Sequence, residues 1–318
     1  MRARAVVIAQ PHTVELRELE LTEPGPADVV IRTAYSSISA GTERMVLAGK
    51  MPHPALSLPV VPGYETVGQV VGLGSEVSPE LEGCWVYVGG ARCYQDVNAA
   101  WGGQSALLIV NHERIVPLKT LEPRHGVLLA LGATALHGID LLAQEQRLAA
   151  RRMLILGQGP VGQLAARIAR AHGAWVAVAD KNGARLEHTQ ADQRILVQEQ
   201  PIAEQLGKQV DMVIEATGSM AALTAALPTL ADGGTILLLG YYESLQLPYM
   251  PLFLKQARLL TAREWAAGDL VRMRDLLLEH TVDVESMLTH TMPVERIAEA
   301  YSVALDDPQC LKLVVNWE

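Results

Sequence analysis

Residues 153 to 180 read MLILGQGPVGQLAARIARAHGAWVAVAD: an apolar run, a glycine-punctuated turn, an alanine-rich helical pattern, and a second apolar run that closes on an acid. Few folds accommodate that succession. Two apolar runs joined by one helix form a parallel βαβ unit with a right-handed crossover. Gly157 permits the tight turn, Gly159 lets a ligand approach the backbone, and Gly162 lets the helix pack closely on its strand. Pro160 and Val161 open the helix, whose free N–H groups and dipole favour a diphosphate. Asp180 stands about 20 residues beyond the glycines, where a carboxylate accepts hydrogen bonds from an adenosine ribose and repels a 2′-phosphate. The pattern predicts a dinucleotide site that prefers NAD to NADP. Lys181 and Arg185 follow, and either contact the adenosine or lie solvated on the next helix.

Before this unit the chain reads differently. RAVVIAQ, VELRELEL, DVVIRTAYSSIS, ETVGQVVGLG, CWVYVGG, SALLIVN and RIVPL are short strand-like runs punctuated by proline and glycine. Residues 1–121 are therefore predicted as a β-rich module. Residues 122–265 alternate apolar strands with helical stretches, as an α/β, doubly wound parallel sheet does. Thr217 and Gly240 follow its fourth and fifth strands, at the carboxyl ends where open sheets bind ligands, and are expected beside the nicotinamide. Residues 266–318 end in CLKLVVNW, an apolar strand that needs a partner and is expected to return to the first module.

Composition narrows the function classes. A net charge of −9 without a basic cluster argues against a nucleic-acid partner. No apolar run reaches the roughly 18–20 residues that span a bilayer, and MRARAVVIAQ carries no cleavable signal pattern, so a cytoplasmic address is expected. Cys84, Cys93 and Cys310 are isolated and imply neither a disulfide framework nor a zinc knuckle.

Residues 63 to 77, GYETVGQVVGLGSEV, resemble the zinc alcohol dehydrogenase signature, with Gly63, Glu65, Gly68, Gly74 and Val77 at the expected spacing. The layout of β-rich module, dinucleotide sheet and C-terminal return resembles the medium-chain dehydrogenase/reductase superfamily, which implies a GroES-like catalytic domain beside a Rossmann domain. This sequence departs from the zinc enzymes at all three ligand positions: Tyr64 replaces the histidine, ISAGTER carries Ser39 and Ala40 where a cysteine is placed, and Ala130 or Leu131 stands at the third. A catalytic zinc takes about three protein ligands, so none is expected here. ISAGTER, PVVPGYETVGQVV, GGARCYQDVNAAWGG and LLALGATALHGI further resemble the bacteriochlorophyllide a dehydrogenases. That resemblance implies oxidation of a 3-(1-hydroxyethyl) group on a bacteriochlorin to 3-acetyl, with NAD⁺ taking the hydride, and association of two or more copies through an edge strand.

Oxidising an alcohol without a metal requires side chains or water to manage its proton. Tyr64 occupies a former ligand position and either hydrogen-bonds the substrate oxygen or merely fills the space. Glu65 either supports that chemistry or, as the family resemblance implies, pairs with a basic residue on the last strand, matched here by Lys312. Ser39 and Thr42 are candidates to pass the proton onward, and His137 offers an imidazole relay or a core histidine. Arg44, Arg92 and Tyr94 are candidate substrate contacts, since a chlorophyllide carries a free propionate that a guanidinium pairs with. The apolar stretch 45–62 is either a wall of a broad substrate cleft or ordinary core and loop. Two rival readings stay open: a zinc-independent quinone or enone reductase, and a non-catalytic NAD- or pigment-binding protein.

Overall fold

The computed structural model describes residues 1–52, 56–198 and 200–318. The chain folds into two compact units, one of Met1–Ala130 with Leu288–Glu318, the other of Leu131–Met287.

The first unit is built from the short runs that proline and glycine separate. In Arg2–Gln10 the charged side chains point outward while Ala5, Val6, Val7 and Ile8 are buried. That strand heads a four-stranded sheet ordered Thr13–Glu20, Arg2–Gln10, Val60–Val61, Asn98–Ala99. The larger sheet has seven strands, running His290–Pro293, Leu313–Asn316, Asp28–Ser37, Thr66–Leu73, Trp85–Val88 and Ile115–Pro117, with Leu107–Asn111 also on Asp28–Ser37. Its core is aliphatic, with Val29, Ile31, Val70, Val86, Val88 and Leu108 in one cluster. Gly68 lies where strands press together, since a Cβ there would fall 2.2 Å from the carbonyl oxygen of Arg32.

The apolar C-terminus finds the partner it needs. Val314, Val315 and Asn316 pair antiparallel with Ser37, Ser36 and Tyr35. Lys312 is thereby buried, and its ammonium forms an ion pair with the fully buried Glu65.

The second unit holds six strands in the order Gln193–Leu196, Trp175–Asp180, Arg152–Leu156, Val210–Glu215, Leu230–Leu238, Arg258–Thr261. All five pairings are parallel, and the sequence order 3-2-1-4-5-6 is that of a dinucleotide-binding sheet. Buried on both faces, the central strands Trp175–Asp180, Arg152–Leu156 and Val210–Glu215 read as near-continuous apolar runs rather than alternating ones. The helix Pro160–Ala171 is fastened by Arg167, whose guanidinium donates to the carbonyls of Gln163, His188 and Asp283 and to the Ser286 hydroxyl. Burial lowers the Arg167 pKa to about 10.

The unit boundaries at 130/131 and 287/288 differ from the expected 121/122 and 265/266. The turn Pro123–Leu128 stays with the first unit because Gly126 lies against Val67 and Leu118. The helix Asp269–Leu278 stays with the second, where Met273 packs on Gly132 and Arg272 pairs with Asp140. Pro123–Leu128 runs on into the helix Leu129–Glu145, and Pro123–Glu145 is long and apolar enough to cross a membrane by length and composition, although Arg124, His125, His137 and Asp140 interrupt its apolar run. Two thirds of that window is buried inside the protein, as in a core helix.

Replacing one member of a buried ion pair strands the other charge. Lys312→Met is expected to lower the unfolding free energy in urea by about 3–5 kcal/mol, and adding Glu65→Gln to recover part of that loss.

Candidate active site

In the first unit the site grows from two adjacent segments. Strand Asp28–Ser37 runs through Ile38 and Ser39 into the helix Ala40–Leu47, and Gly63 brings Tyr64 to the start of strand Thr66–Leu73. Gly63 has φ +96°, a left-handed conformation that glycine adopts without penalty. Tyr64 is half-buried, and its hydroxyl lies 2.5 Å from Ser39 Oγ and 3.1 Å from Thr42 Oγ1. Tyr87 fixes the backbone beneath by donating to the Tyr64 carbonyl at 2.7 Å. Burial and the neighbouring Glu65 carboxylate raise the Tyr64 pKa, so the phenol is held protonated. If Ser39 and Thr42 both donate into the phenolic oxygen, its own proton is free for a third oxygen.

Glu65 is below this array, not in it. One carboxylate oxygen takes both the Lys312 ammonium and the Ser37 hydroxyl, and Lys312 also donates to the Ile38 carbonyl at 3.1 Å. Its contribution is to hold Tyr64 and Ser39 on their two strands.

A wall of the site comes from GGARCYQDVNAAWGG. The Trp101 ring meets Tyr64 edge-on at 5.3 Å between centroids. Trp101 and Gly102 both take positive φ, at +71° and +77°, and Gly90 must be glycine because a Cβ there would fall 2.2 Å from the Trp101 carbonyl oxygen. Tyr94 donates its hydroxyl to the Gly102 carbonyl at 2.6 Å, so it braces this loop. Of the stretch 45–62, Met51 and Leu56 line the same cavity as Trp101, while His53, Pro54 and Ala55 lie outside the described residues.

Two expected contacts are redirected. Arg44 reaches the last turn of the helix Ile297–Asp306, with Asp306 at 3.3 Å and the Leu305 carbonyl as its partners in this structure. His137 belongs to the second unit, where its Nδ1 faces Asp269 at 3.4 Å, and Asp269 is itself held by Arg272 and the Ala266 N–H. That network ties two helices and does not include the hydroxyl array. Among the described residues, no three His, Cys, Asp or Glu side chains converge as a metal-ligand set.

Glu43 is a residue that sequence reasoning passed over. Fully buried, it accepts from the Ser39 N–H at 3.0 Å, Gln104 Nε2 at 2.9 Å and the Tyr301 hydroxyl. Burial raises its pKa to about 7, although the Tyr301 and Ser39 donors oppose the shift. The only sequence signal is an acid four residues after Ser39, which reads equally well as an ordinary helix charge.

In the second unit Gly157 and Gly162 take the turn and the close packing that their spacing predicts. Gly157 has φ +86°, and a Cβ on Gly162 would fall 1.9 Å from the Gly157 carbonyl oxygen. A Cβ on Gly159, in contrast, meets no protein atom within 4 Å. Nothing in the protein requires glycine there, so the open space beside a helix N-terminus fits a diphosphate lying against the backbone. Asp180 is buried at its strand end, accepting from the N–H of Gln158 at 2.6 Å and of Asn182 at 2.8 Å, and retains lone pairs for ribose hydroxyls. Arg185 is half-buried, with its Nε lacking a partner among the described residues, and Lys181 is exposed.

Thr217 and Gly240 are joined by a second acid missed in the sequence, Glu215. It accepts from the N–H groups of Thr217 at 2.7 Å and Gly218 at 3.0 Å, and from the hydroxyls of Thr217 and Tyr242. A Cβ on Gly240 would fall 2.7 Å from its carboxylate. Glu215 thus fixes two adjacent strand-end loops.

A glycine turn, a helix N-terminus and a strand-end acid on such a sheet, carried with a hydroxyl array in one chain, define a dinucleotide-dependent oxidoreductase. Comparison with known proteins agrees. The family described as alcohol dehydrogenase GroES-like domain matches residues 25–120, and that described as zinc-binding dehydrogenase matches residues 160–278. The 2-desacetyl-2-hydroxyethyl bacteriochlorophyllide A dehydrogenase of Cereibacter sphaeroides is 33% identical, covering 100% of this chain and 99% of its own. Its namesake from Rhodobacter capsulatus is 31% identical with the same coverage, 100% and 99%. L-idonate 5-dehydrogenase from Escherichia coli shares the fold with a TM-score of 0.88 at 19% identity, covering 100% of this chain and 99% of its own. A short chain alcohol dehydrogenase from E. coli CFT073, solved with NADH, gives 0.86 at 20% identity and 99% coverage of both. The chain belongs to the medium-chain dehydrogenase/reductase superfamily of oxidoreductases.

The raised Glu43 pKa has a consequence for stability. The folded state binds a proton more tightly than the unfolded state, so this group favours folding most below pH 4.5, and the advantage fades as pH rises to about 7. Between those limits wild type is expected to lose up to about 3 kcal/mol relative to Glu43→Gln. Urea denaturation of both proteins at pH 5 and pH 8 checks it.

Proposed function

We propose that this protein oxidises the 3-(1-hydroxyethyl) group of a bacteriochlorophyllide to 3-acetyl, with NAD⁺ as acceptor and no zinc held by the protein. The observation that carries the reading is the Tyr64 hydroxyl held by Ser39 and Thr42 at the position where zinc relatives place a histidine ligand. Full-length identity of 33% to a bacteriochlorophyllide dehydrogenase supports the substrate class. Bound NAD⁺ supplies the hydride acceptor. The alcohol hydroxyl hydrogen-bonds Tyr64, and as the carbonyl forms the phenol takes the alcohol proton while handing its own to Thr42, whose hydroxyl proton passes to water. Thr42 is half-exposed, so the array opens toward water. A phenol that stays protonated donates to the new carbonyl oxygen, a role that suits its raised pKa better than acting as a free base. Asp180, placed to accept from a ribose, disfavours a 2′-phosphate and supports NAD over NADP.

The expected cytoplasmic address belongs to this reading, as does a homodimer formed at the edge strand Arg258–Thr261. Among the described residues that strand pairs on one side only, and Leu259 together with Tyr249, Met250, Phe253 and Leu254 of the preceding helix is exposed. Such an unpaired apolar edge suits a second copy of itself.

Incubation with NAD⁺ and the 3-hydroxyethyl pigment, followed by NADH formation and the shift of the red absorption band, tests the activity. Turnover that requires added zinc would remove the metal-free mechanism, and activity confined to NADPH with enones or quinones would make the protein a reductase. Tyr64→Phe is expected to lower kcat about 100-fold, within the range of a lost acid–base group, and to leave the Kd for NAD⁺ unchanged. Asp180→Ala is expected to weaken NAD⁺ and bring NADP⁺ closer to parity in calorimetric titration. For assembly, light scattering of Phe253→Asp should report a monomer where wild type reports a dimer.

A further inference from the structure

Behind Trp101 the first unit has a cavity of about 80 Å³, lined by Met51, Leu56 and Trp101 on its apolar sides and by Arg92 and Arg114 on its polar one. Three features make it unlike an ordinary surface dimple. Arg2, Arg4, Arg17 and Arg44 of the same unit each face a carboxylate, whereas the exposed Arg92 and Arg114, like Arg32, have no hydrogen-bond or ion-pair partner among the described residues. No carboxylate belongs to the described lining, so two cations share a small recess without an internal counter-charge. The recess also shares a wall with the hydroxyl array, because the Trp101 ring that bounds it meets Tyr64 at 5.3 Å. Trp101 is held in place by the close approach of Gly90, so this wall is built into the fold.

Size decides what can enter. Pockets for whole drug-sized ligands measure roughly 300–1,000 Å³, so this cavity is too small for a macrocycle and suits a short side arm. Guanidinium groups without a protein anion attract one from the ligand, and the planar fork matches a carboxylate with two parallel hydrogen bonds. We infer that Arg92 and Arg114 form a subsite for a carboxylate-bearing arm of the substrate, which lies with its apolar body against Trp101 and its reacting hydroxyl at Tyr64. The inference rests on the proposed alcohol oxidation and adds to it the place where the free propionate of the bacteriochlorin, as the arm, is held. Arg92 and Ala99 also line a second, more open depression of about 270 Å³ with Tyr94 and Asn98.

The test compares a free-acid pigment with its propionate methyl ester, because esterification removes the charge and little else. With wild type and NAD⁺, the ester is expected to show a KM about tenfold higher than the acid, the loss of one charged hydrogen-bonded contact. In Arg92→Gln/Arg114→Gln the acid-to-ester ratio should fall to about one, and in the Arg92→Lys/Arg114→Lys variant part of it should return. Equal KM for acid and ester in wild type overturns the subsite, as does an unchanged ratio in the glutamine variant. Quenching of tryptophan fluorescence by pheophorbide a and by its methyl ester reads the same preference without turnover. Preferential binding of the acid with no oxidation of any pigment would sink the proposed activity and leave the subsite standing. Oxidation of acid and ester alike would do the reverse.

Discussion

The contact between Glu65 and Lys312 holds the first unit's site together. Residues separated by most of the chain meet in the interior, and each answers the other's charge where water cannot. Glu65 follows Tyr64 directly, and Lys312 precedes the final strand and donates to the Ile38 carbonyl just before Ser39. The pair therefore fixes the strand that carries the phenol, the strand that carries its serine neighbour, and the C-terminal return that closes the sheet. Such an arrangement makes the last strand of the chain part of the site's foundation.

The second unit solves a different problem with backbone geometry. Its glycines are of two kinds, and the distinction is physical. Gly157 and Gly162 are required by the protein itself, through a left-handed φ and a carbonyl 1.9 Å from where a Cβ would sit. Gly159 is required by no contact within the protein, and its open side lies beside the N-terminus of the helix Pro160–Ala171. Glu215 then gathers the ends of two neighbouring strands around one carboxylate.

Sites such as Tyr64 were legible in the sequence because a residue in a spaced motif announces its position relative to glycines that the fold needs. Glu43 and Glu215 were not legible. Each is an acid in a helix or at a strand end, indistinguishable along the chain from a solvated one, and only packing by Tyr301, Gln104 or Tyr242 makes it an interior hub. Arg44 erred in the opposite direction. It reads as a free fork near the reaction loop, but the helix Ile297–Asp306, remote in sequence, reaches it with a carboxylate and a carbonyl.

Local pattern by itself determined the β-rich first half, the six parallel strands, the dinucleotide turn and the strand-seeking C-terminus, since periodicity, glycine spacing and apolar run length act over a few residues. The tertiary structure alone decided which charged side chains are interior and paired, where the two units divide, and that Tyr64, Ser39, Thr42 and Trp101 share one place. The reason is the same throughout: burial and charge pairing depend on neighbours brought together from far along the chain, and a linear sequence does not carry those distances.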